Sequence, residues 1–415
     1  MQVVFTINGP GEVSGWLHPL TVALKARLPG VRIVVCVLPC VFSSGAERDV
    51  IGKLGTVDAV ASVSESLKLI ATGRGPEGFL EEGAPTLVFH LGGEPILSVA
   101  LGWRLGAERY AYVERRSLVN RLFGEVFFNG LAWRPGDRPG GTVGELMVDA
   151  ARLRRAEAEA EAMGADRDGR PCVALFPGSR TYMAIHLLPY YAVTVDAIAA
   201  ERPDIDWVLA RADYVSMETL RHLPPPPEDR TWPAVPLSFR EQGGATWMET
   251  DGGTRIRILS GAEAIARADI ALTIPGTNTG ELAASGVPMV VVLPTYLGHE
   301  VPLPGIPGHL GRLPLLGRLL KISFGWWRVR KLGLLAQPNV RSGRMLVPEF
   351  VGEGLHAPMQ AALEALMDQD TTALSDELRA TMGAPGAAYA LASRIAAFFT
   401  DDHRDAVVAV QEDGV

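Results

Sequence analysis

Short apolar runs separated by glycine- or proline-marked breaks recur along the whole chain. The runs at 2–7, 31–38, 86–91, 109–113, 125–129, 172–176, 208–210, 255–259, 270–274 and 289–293 show little alternation with polar residues. That is the pattern of strands covered on both faces, as in a parallel sheet. Between several of them the period changes to that of a helix. Leu17, Leu20, Leu24 and Leu28 follow the first run, 183–200 follows the run at 172–176, and 261–268 precedes the run at 270–274. Strand, break, helix, strand is the unit of a doubly wound α/β domain. A polar, alanine- and arginine-rich helix at 150–163 reads as solvated, and a polar break at 164–171 divides two such halves. The pattern predicts one domain over 1–150 and a second over 168–375. The proline run at 224–227 and the connection to 236 read as surface. Helical pieces follow at 357–367, 374–382 and 387–399, and those near 380–400 are candidates to pack back on the first domain. The acidic end, 401–415, is expected to fray.

The stretch at 268–293 is the centre of the pattern. Pro275-Gly276 breaks the apolar run, Thr277, Asn278 and Thr279 follow, and Glu281 opens a helical pattern that Gly286 closes. Asn278 and Glu281 have capping-box spacing, which would leave a row of backbone N–H groups at a helix N-terminus, an end that attracts phosphate. An ordinary capped crossover helix accounts for the pattern equally well.

Composition narrows the class. A length of 415 residues exceeds one compact core, so two or three domains are expected. A hydrophobic content of 47% is that of a globular protein, and a net charge of -8 argues against a nucleic-acid binder on the whole-chain average. The three cysteines, Cys36, Cys40 and Cys172, lie in or beside apolar runs without a CxxC pair, as buried thiols in a reducing compartment do. The chain opens directly into a strand, and no uncharged run of about 18 apolar residues occurs, so neither a leader nor a membrane span is expected. One region departs from the average. Residues 301–348 hold eight Lys or Arg and no Asp or Glu, interleaved with leucines and with Trp326 and Trp327. Such a mixture suits an anionic membrane interface; a basic helix with its stems packed on the core is the alternative.

Three turns could carry chemistry. The first, 8–15, is glycine-rich but lacks a GxGxxG fingerprint, which argues against a dinucleotide. At the second, Gly92-Gly93-Glu94 ends an apolar run, where an open α/β sheet places its ligand crevice. Glu94 is thus a candidate base or a surface carboxylate. At the third, Arg180 follows the Pro177-Gly178 turn and is placed to meet a diphosphate.

Four segments carry a resemblance. LFPGSR at 175–180, IPGTNTGELAASGVPMVV at 274–291, QPNVRSGRMLVPEF at 337–350 and GPGEVSGW at 9–16 resemble signatures of the lipid-A-disaccharide synthase family in order and spacing. The resemblance implies a GT-B fold, two Rossmann-like doubly wound domains facing a cleft, the first for the acceptor and the second for a nucleotide-sugar donor. It implies inverting, metal-independent transfer of a sugar, of N-acetylglucosamine type, from a UDP-sugar to a lipid-linked acceptor, with no cofactor. Gly178, Ser179 and Arg180 would hold the diphosphate. Thr277, Asn278 and Thr279 would lie at a second phosphate-facing helix end, and Glu281 would bind the ribose. Asn339 and Arg344 match the family's PNxxxGR on the donor side, and Gly11, Glu12 and Ser14 its N-terminal loop. An anionic membrane surface at the inner face of the cytoplasmic membrane would be a partner, nucleic acid would not, and the family's C-terminal exchange admits a homodimer. The chain departs from the family where the base is expected: Gly93 stands at the family's Asp position and Trp16 at the last position of its GExSGD loop. Glu94 is the first candidate for the base and Glu12 the second. A UDP-sugar epimerase on the same architecture, and a nucleotide-sugar-binding protein without catalysis, are the alternatives.

Overall fold

The computed structural model describes residues 1–40, 46–130, 140–161, 169–226, 228, 232–296 and 333–412, with backbone alone at 159–161 and 401–412. The basic segment up to residue 332, with Trp326 and Trp327, lies outside the described residues. The chain forms two units, the first Met1–Ala150 with Ala384–Val415 and the second Ala151–Gly383.

The first unit is a seven-stranded sheet built of β1 (Gln2–Ile7), β2 (Arg32–Val37), β3 (Ala59–Ala61), β4 (Thr86–His90), β5 (Glu108–Val113), β6 (Glu125–Phe128) and β7 (Gly140–Thr142). The order is β3-β2-β1-β4-β5-β6-β7, and every pair is parallel. All six residues of β1 are buried, which is why its sequence lacks a polar face. Fully burying a side chain such as Val3, Phe5 or Ile7 contributes about 1.5–3 kcal/mol each. The helix His18–Arg27 packs against the C-terminal helix Ala387–Glu412, which ties the chain's last element to this unit.

The second unit is an eight-stranded sheet of β8 (Cys172–Phe176), β9 (Asp206–Arg211), β10 (Leu237–Gln242), β11 (Ala245–Thr250), β12 (Arg255–Ser260), β13 (Ile270–Thr273), β14 (Met289–Pro294) and β15 (Glu349–Gly352). Its order is β10-β11-β12-β9-β8-β13-β14-β15. The β10-β11-β12 pairs are antiparallel and the others parallel. The helix Thr181–Glu201 is long and apolar enough to cross a membrane. Its Leu187, Leu188, Tyr191, Val195 and Ile198 lie in this unit's core instead.

Each sheet has a point where the chain, after building strands on one side of its first strand, crosses to the other side. In the first unit the chain runs from β1 out to β3 and returns to β4 on the other side of β1. In the second it runs from β8 through β9 to β10 at the edge, comes back through β11 and β12, and passes to β13 on the other side of β8. At such a switch point adjacent connections leave to opposite sides, and a crevice opens at the strands' C-terminal ends.

Three local expectations change. The stretch at 8–15 is not an open turn: Pro10–Glu12 is one helical turn, followed by a π-helical turn over Val13–Leu17. Extended Gly9 and Pro10 at the first helical position start it, and the Ser14 hydroxyl donates back to the Pro10 carbonyl at 3.2 Å. The helix expected to be solvated, Leu146–Glu161, buries Ala150, Ala151 and Ala158. Residues 237–250, to which the pattern assigned no element, form the β10–β11 hairpin. Its two-residue loop, Gly243-Gly244, has φ of 60° and 78°, the positive values that a type I′ turn requires.

Candidate functional site

Both switch points gather residues singled out in the sequence. In the second unit, β8 and β13 are adjacent, with Phe176 opposite Thr273. Gly178 follows β8 with φ 101°, where a Cβ would come within 2.8 Å of the Ile274 Cδ1 atom and 2.7 Å of the Met183 sulfur. The positive φ favours glycine here, and the absent side chain leaves the space that Ile274 and Met183 fill. Ser179 and Arg180, both half-buried, lead into the helix Thr181–Glu201, with Arg180 extended at its N-cap. Across the crevice, Gly276 (φ 149°) is the N-cap of the helix Thr277–Ser285, and no side chain caps it. The capping box expected from Asn278 and Glu281 therefore does not form, because Asn278 lies inside the first turn. Uncapped ends leave backbone N–H groups and the positive pole of the helix dipole for a ligand. Two such ends on adjacent strands can receive a diphosphate.

The remaining residues proposed for the donor side are engaged within the protein. Thr279 is fully buried. Its hydroxyl donates to the Gly276 carbonyl at 2.7 Å and accepts from the Gln337 N–H at 3.0 Å. Asn339 is fully buried too. Its Oδ1 accepts from the Leu346 and Val347 N–H groups, at 2.7 and 3.0 Å, and its Nδ2 donates to the Val347 carbonyl and to Glu349. Glu349 also accepts from the N–H groups of Leu335 and Ala336. Thr279, Asn339 and Glu349 thus hold the 335–349 segment against the start of the Thr277–Ser285 helix. Glu349 had been passed over, although it stands in the quoted PEF motif. The exposed Arg344 pairs with Glu377. Glu281 is buried on the Thr277–Ser285 helix and forms an ion pair at 2.5 Å with Arg154 of the helix Leu146–Glu161. Arg154 gave no sequence signal beyond its place in a polar helix.

In the first unit the crevice lies between the ends of β1 and β4. A Cβ on Gly92 would lie 3.2 Å from Asn8 Oδ1 and 3.4 Å from Glu12 Cγ, and one on Gly9 would fall on the Glu12 carboxylate. Glu12, Asn8 and Gly92 are therefore in close contact. Gly93 has φ 93°, and a Cβ there would press on the Leu38 side chain at 2.9 Å, so the backbone at this position does not accommodate an Asp. Glu94 is exposed, and its side chain makes no cap bond to the helix Pro95–Leu105. Trp16 is buried, edge-on to Tyr112 with ring centres 5.5 Å apart. Burial pushes the Tyr112 phenol well above its ordinary range, and the adjacent Glu145 adds to the effect.

Beneath this crevice lies a buried chain that the sequence reading missed. His90 Nδ1 is 2.9 Å from Ser98 Oγ, which is 2.7 Å from Thr6 Oγ1. Burial pushes the imidazole down to about 4. The three come together because Thr6 and His90 are register partners on β1 and β4, and Ser98 sits in the first turn of the following helix.

Two doubly wound units, each with its crevice at a switch point, define the GT-B class of fold. Solved structures agree on the fold: UDP-GlcNAc 2-epimerase from Neisseria meningitidis bound to UDP-GlcNAc has a TM-score of 0.51 at 11% identity, covering 97% of this chain and 100% of that one. The MnaA-UDP co-structure from S. aureus has a TM-score of 0.51 at 12% identity, covering 96% and 97%. No protein-family profile matches the chain. In sequence, the chain is a divergent relative of the lipid-A-disaccharide synthases. It is 27% identical to that of Granulibacter bethesdensis over 231 residues, which are 55% of this chain and 47% of the relative. It is 31% identical to that of Gluconobacter oxydans over 183 residues, 44% and 33%, and 26% identical to that of Syntrophus aciditrophicus over 296 residues, 69% and 63%. The chain thus spans about half or less of the length of the first two relatives.

Proposed function

We propose that the protein is an inverting glycosyltransferase that moves a sugar of N-acetylglucosamine type from a UDP-sugar to a lipid-linked acceptor. The observation that carries this reading is the pair of uncapped helix starts at the β8–β13 switch point, with Arg180 at one of them. Similarity to the disaccharide synthases supports the reaction class.

In the reaction the acceptor hydroxyl oxygen forms a bond to the anomeric carbon on the face opposite the diphosphate. The bond from that carbon to the diphosphate oxygen breaks, and UDP leaves with the electron pair. Arg180 and the two helix ends stabilise the growing charge on the diphosphate, so the step needs no resident metal. The hydroxyl proton passes to a carboxylate. Glu94 is the first choice, because its exposed side chain makes no hydrogen bond or ion pair among the described residues. Glu12, packed against Gly9 and Gly92, is the second. Glu281 binds the ribose hydroxyls, and Arg154 holds its carboxylate in place.

The acceptor's lipid calls for a membrane-facing surface, and Trp326 and Trp327 in the basic segment are assigned to it. Replacing both with Ala is expected to reduce binding to phosphatidylglycerol vesicles in a flotation assay at least tenfold; undiminished binding contradicts the assignment. The reading also places the protein on the inner face of the cytoplasmic membrane.

The test of the activity supplies radiolabelled UDP-N-acetylglucosamine with a detergent-solubilised acyl-sugar acceptor, in the presence of EDTA. Label in the lipid fraction, dependent on the acceptor, is the expected result. A 2-epimerised nucleotide sugar formed without acceptor would establish the epimerase reading instead, which the fold of the solved UDP-GlcNAc 2-epimerases keeps open.

A further inference from the structure

The N-terminal edge of the second unit's sheet carries a cavity of about 840 Å³ that no step above uses. It lies where Cys172, Asp206 and Arg255 open strands β8, β9 and β12. Since β8 is a five-residue strand, the cavity is about 16 Å from the glycine turn at the strand's other end. Its volume falls within the roughly 300–1,000 Å³ usual for small-molecule sites.

Its lining is cationic and aromatic in a chain of net negative charge: Arg170, Arg255, Arg257 and Arg267, with Trp207 and Trp247. The β11–β12 register sets Trp247 opposite Arg257 and Glu249 opposite Arg255. With a strand period of two, these four side chains share one face. The carboxylates close by are already engaged. Asp196 accepts from the Thr250 and Thr254 hydroxyls and from the Gly252 N–H, Asp206 pairs with Arg170, and Glu249 pairs with Arg240. Arg255 donates only to the neutral Gln242 side chain and lies 4.4 Å from the centre of the Trp247 ring. Arg257 is half-buried and has no hydrogen bond or ion pair among the described residues. Keeping an uncompensated guanidinium partly out of water costs stability, and an anion in the cavity would offset that cost.

We propose that this cavity is a second anion site, binding a phosphate-bearing group between Arg255 and Arg257 beside the Trp247 ring. The basic groups lining it are all arginine, whose planar fork matches phosphate oxygens two at a time. The assignment is independent of the transferase reading.

Inorganic pyrophosphate is the probe, titrated calorimetrically into Arg180→Ala, which lacks the donor-site arginine proposed to hold a diphosphate, and into the same variant carrying Arg257→Gln, Arg257→Lys or both Arg255→Gln and Arg257→Gln. Saturable binding is expected in Arg180→Ala that weakens at least tenfold when Arg257→Gln is added, is lost when both arginines are replaced, and falls between with Arg257→Lys. Thermal unfolding without pyrophosphate, not lowered by any of the Arg255 and Arg257 substitutions, excludes misfolding as the cause. In the Arg180→Ala background, binding that survives replacement of both Arg255 and Arg257 overturns the proposal, as does absence of pyrophosphate binding before they are replaced. A second arm adds phosphatidylglycerol vesicles. Competition between vesicles and pyrophosphate that needs Arg257 identifies the occupant as a lipid headgroup; its absence identifies a soluble phosphate compound.

Discussion

Asn339 and Arg180 were assigned the same kind of task from their motifs, yet they sit in opposite physical situations. Asn339 is fully buried with both ends of its amide engaged, and its removal leaves the Leu346 and Val347 N–H groups without their acceptor. Asn339→Ala is expected to destabilise the second unit by about 2–4 kcal/mol, seen as a lower urea midpoint. Arg180 is half-buried at a helix start, so Arg180→Ala is expected to change ligand binding while leaving that midpoint nearly unaltered. His90 gives a pH signature. Its folded value, about 4, lies below the 6.5 ordinary for the unfolded chain. The unfolded state therefore takes up the proton first, and stability is full above 6.5 and declines as pH falls toward 4. By pH 4.5 the loss amounts to about 2–3 kcal/mol. Denaturant titrations at pH 7 and 4.5 are expected to show a larger decline in the wild type than in His90→Gln, the remainder coming from groups such as His356 and Asp58 whose pKa values are also lowered on folding. A glycine turn and an arginine can be recognised in a string of letters. Which side chain turns inward to brace a loop depends on neighbours far apart in sequence, so Asn339 and Glu349 could not be told from ligand contacts.

At the scale of elements, the two turns beside β8 and β13 are the critical geometry. Gly178→Ala would add a methyl group within 2.8 Å of Ile274 and 2.7 Å of the Met183 sulfur, at a φ of 101°. A cost of about 1–3 kcal/mol is expected, together with weaker UDP binding, since the turn must shift to make room. Calorimetric unfolding and a UDP titration of this variant check both. The parallel strands were legible because runs such as 172–176 and 289–293 are apolar on both faces, and β8 matches its expected bounds residue for residue. What escaped was short or locally polar. The β10–β11 hairpin is mostly exposed, so it shows no apolar run, although Gly243-Gly244 marked its turn. The true capping boxes, Ser62 with Glu65 and Ser260 with Glu263, were passed over in favour of Asn278 and Glu281. There Gly276, with its positive φ, takes the cap, and a polar side chain two residues on cannot.

At the scale of the whole molecule, the architecture makes the switch points the places where ligands fit, one per unit. Three of the four short motifs, at 9–16, 175–180 and 274–291, mark them in the sequence, since each of these turns follows a strand end. The first unit's crevice, proposed for the acceptor, was less legible, because its departures, Gly93 and Trp16, are explained by Leu38 and Tyr112, distant in sequence. The central feature of the proposed function is the donor site assigned to the second unit. Its most direct measurement is the affinity of UDP for the wild type and for Arg180→Ala, by isothermal titration calorimetry at constant ionic strength. The account predicts saturable binding to the wild type. It also predicts a loss of roughly ten- to a hundredfold in the variant, the equivalent of a charge-assisted hydrogen bond of about 1.5–3 kcal/mol. Equal affinities for the two proteins, or no UDP binding to the wild type, would contradict it.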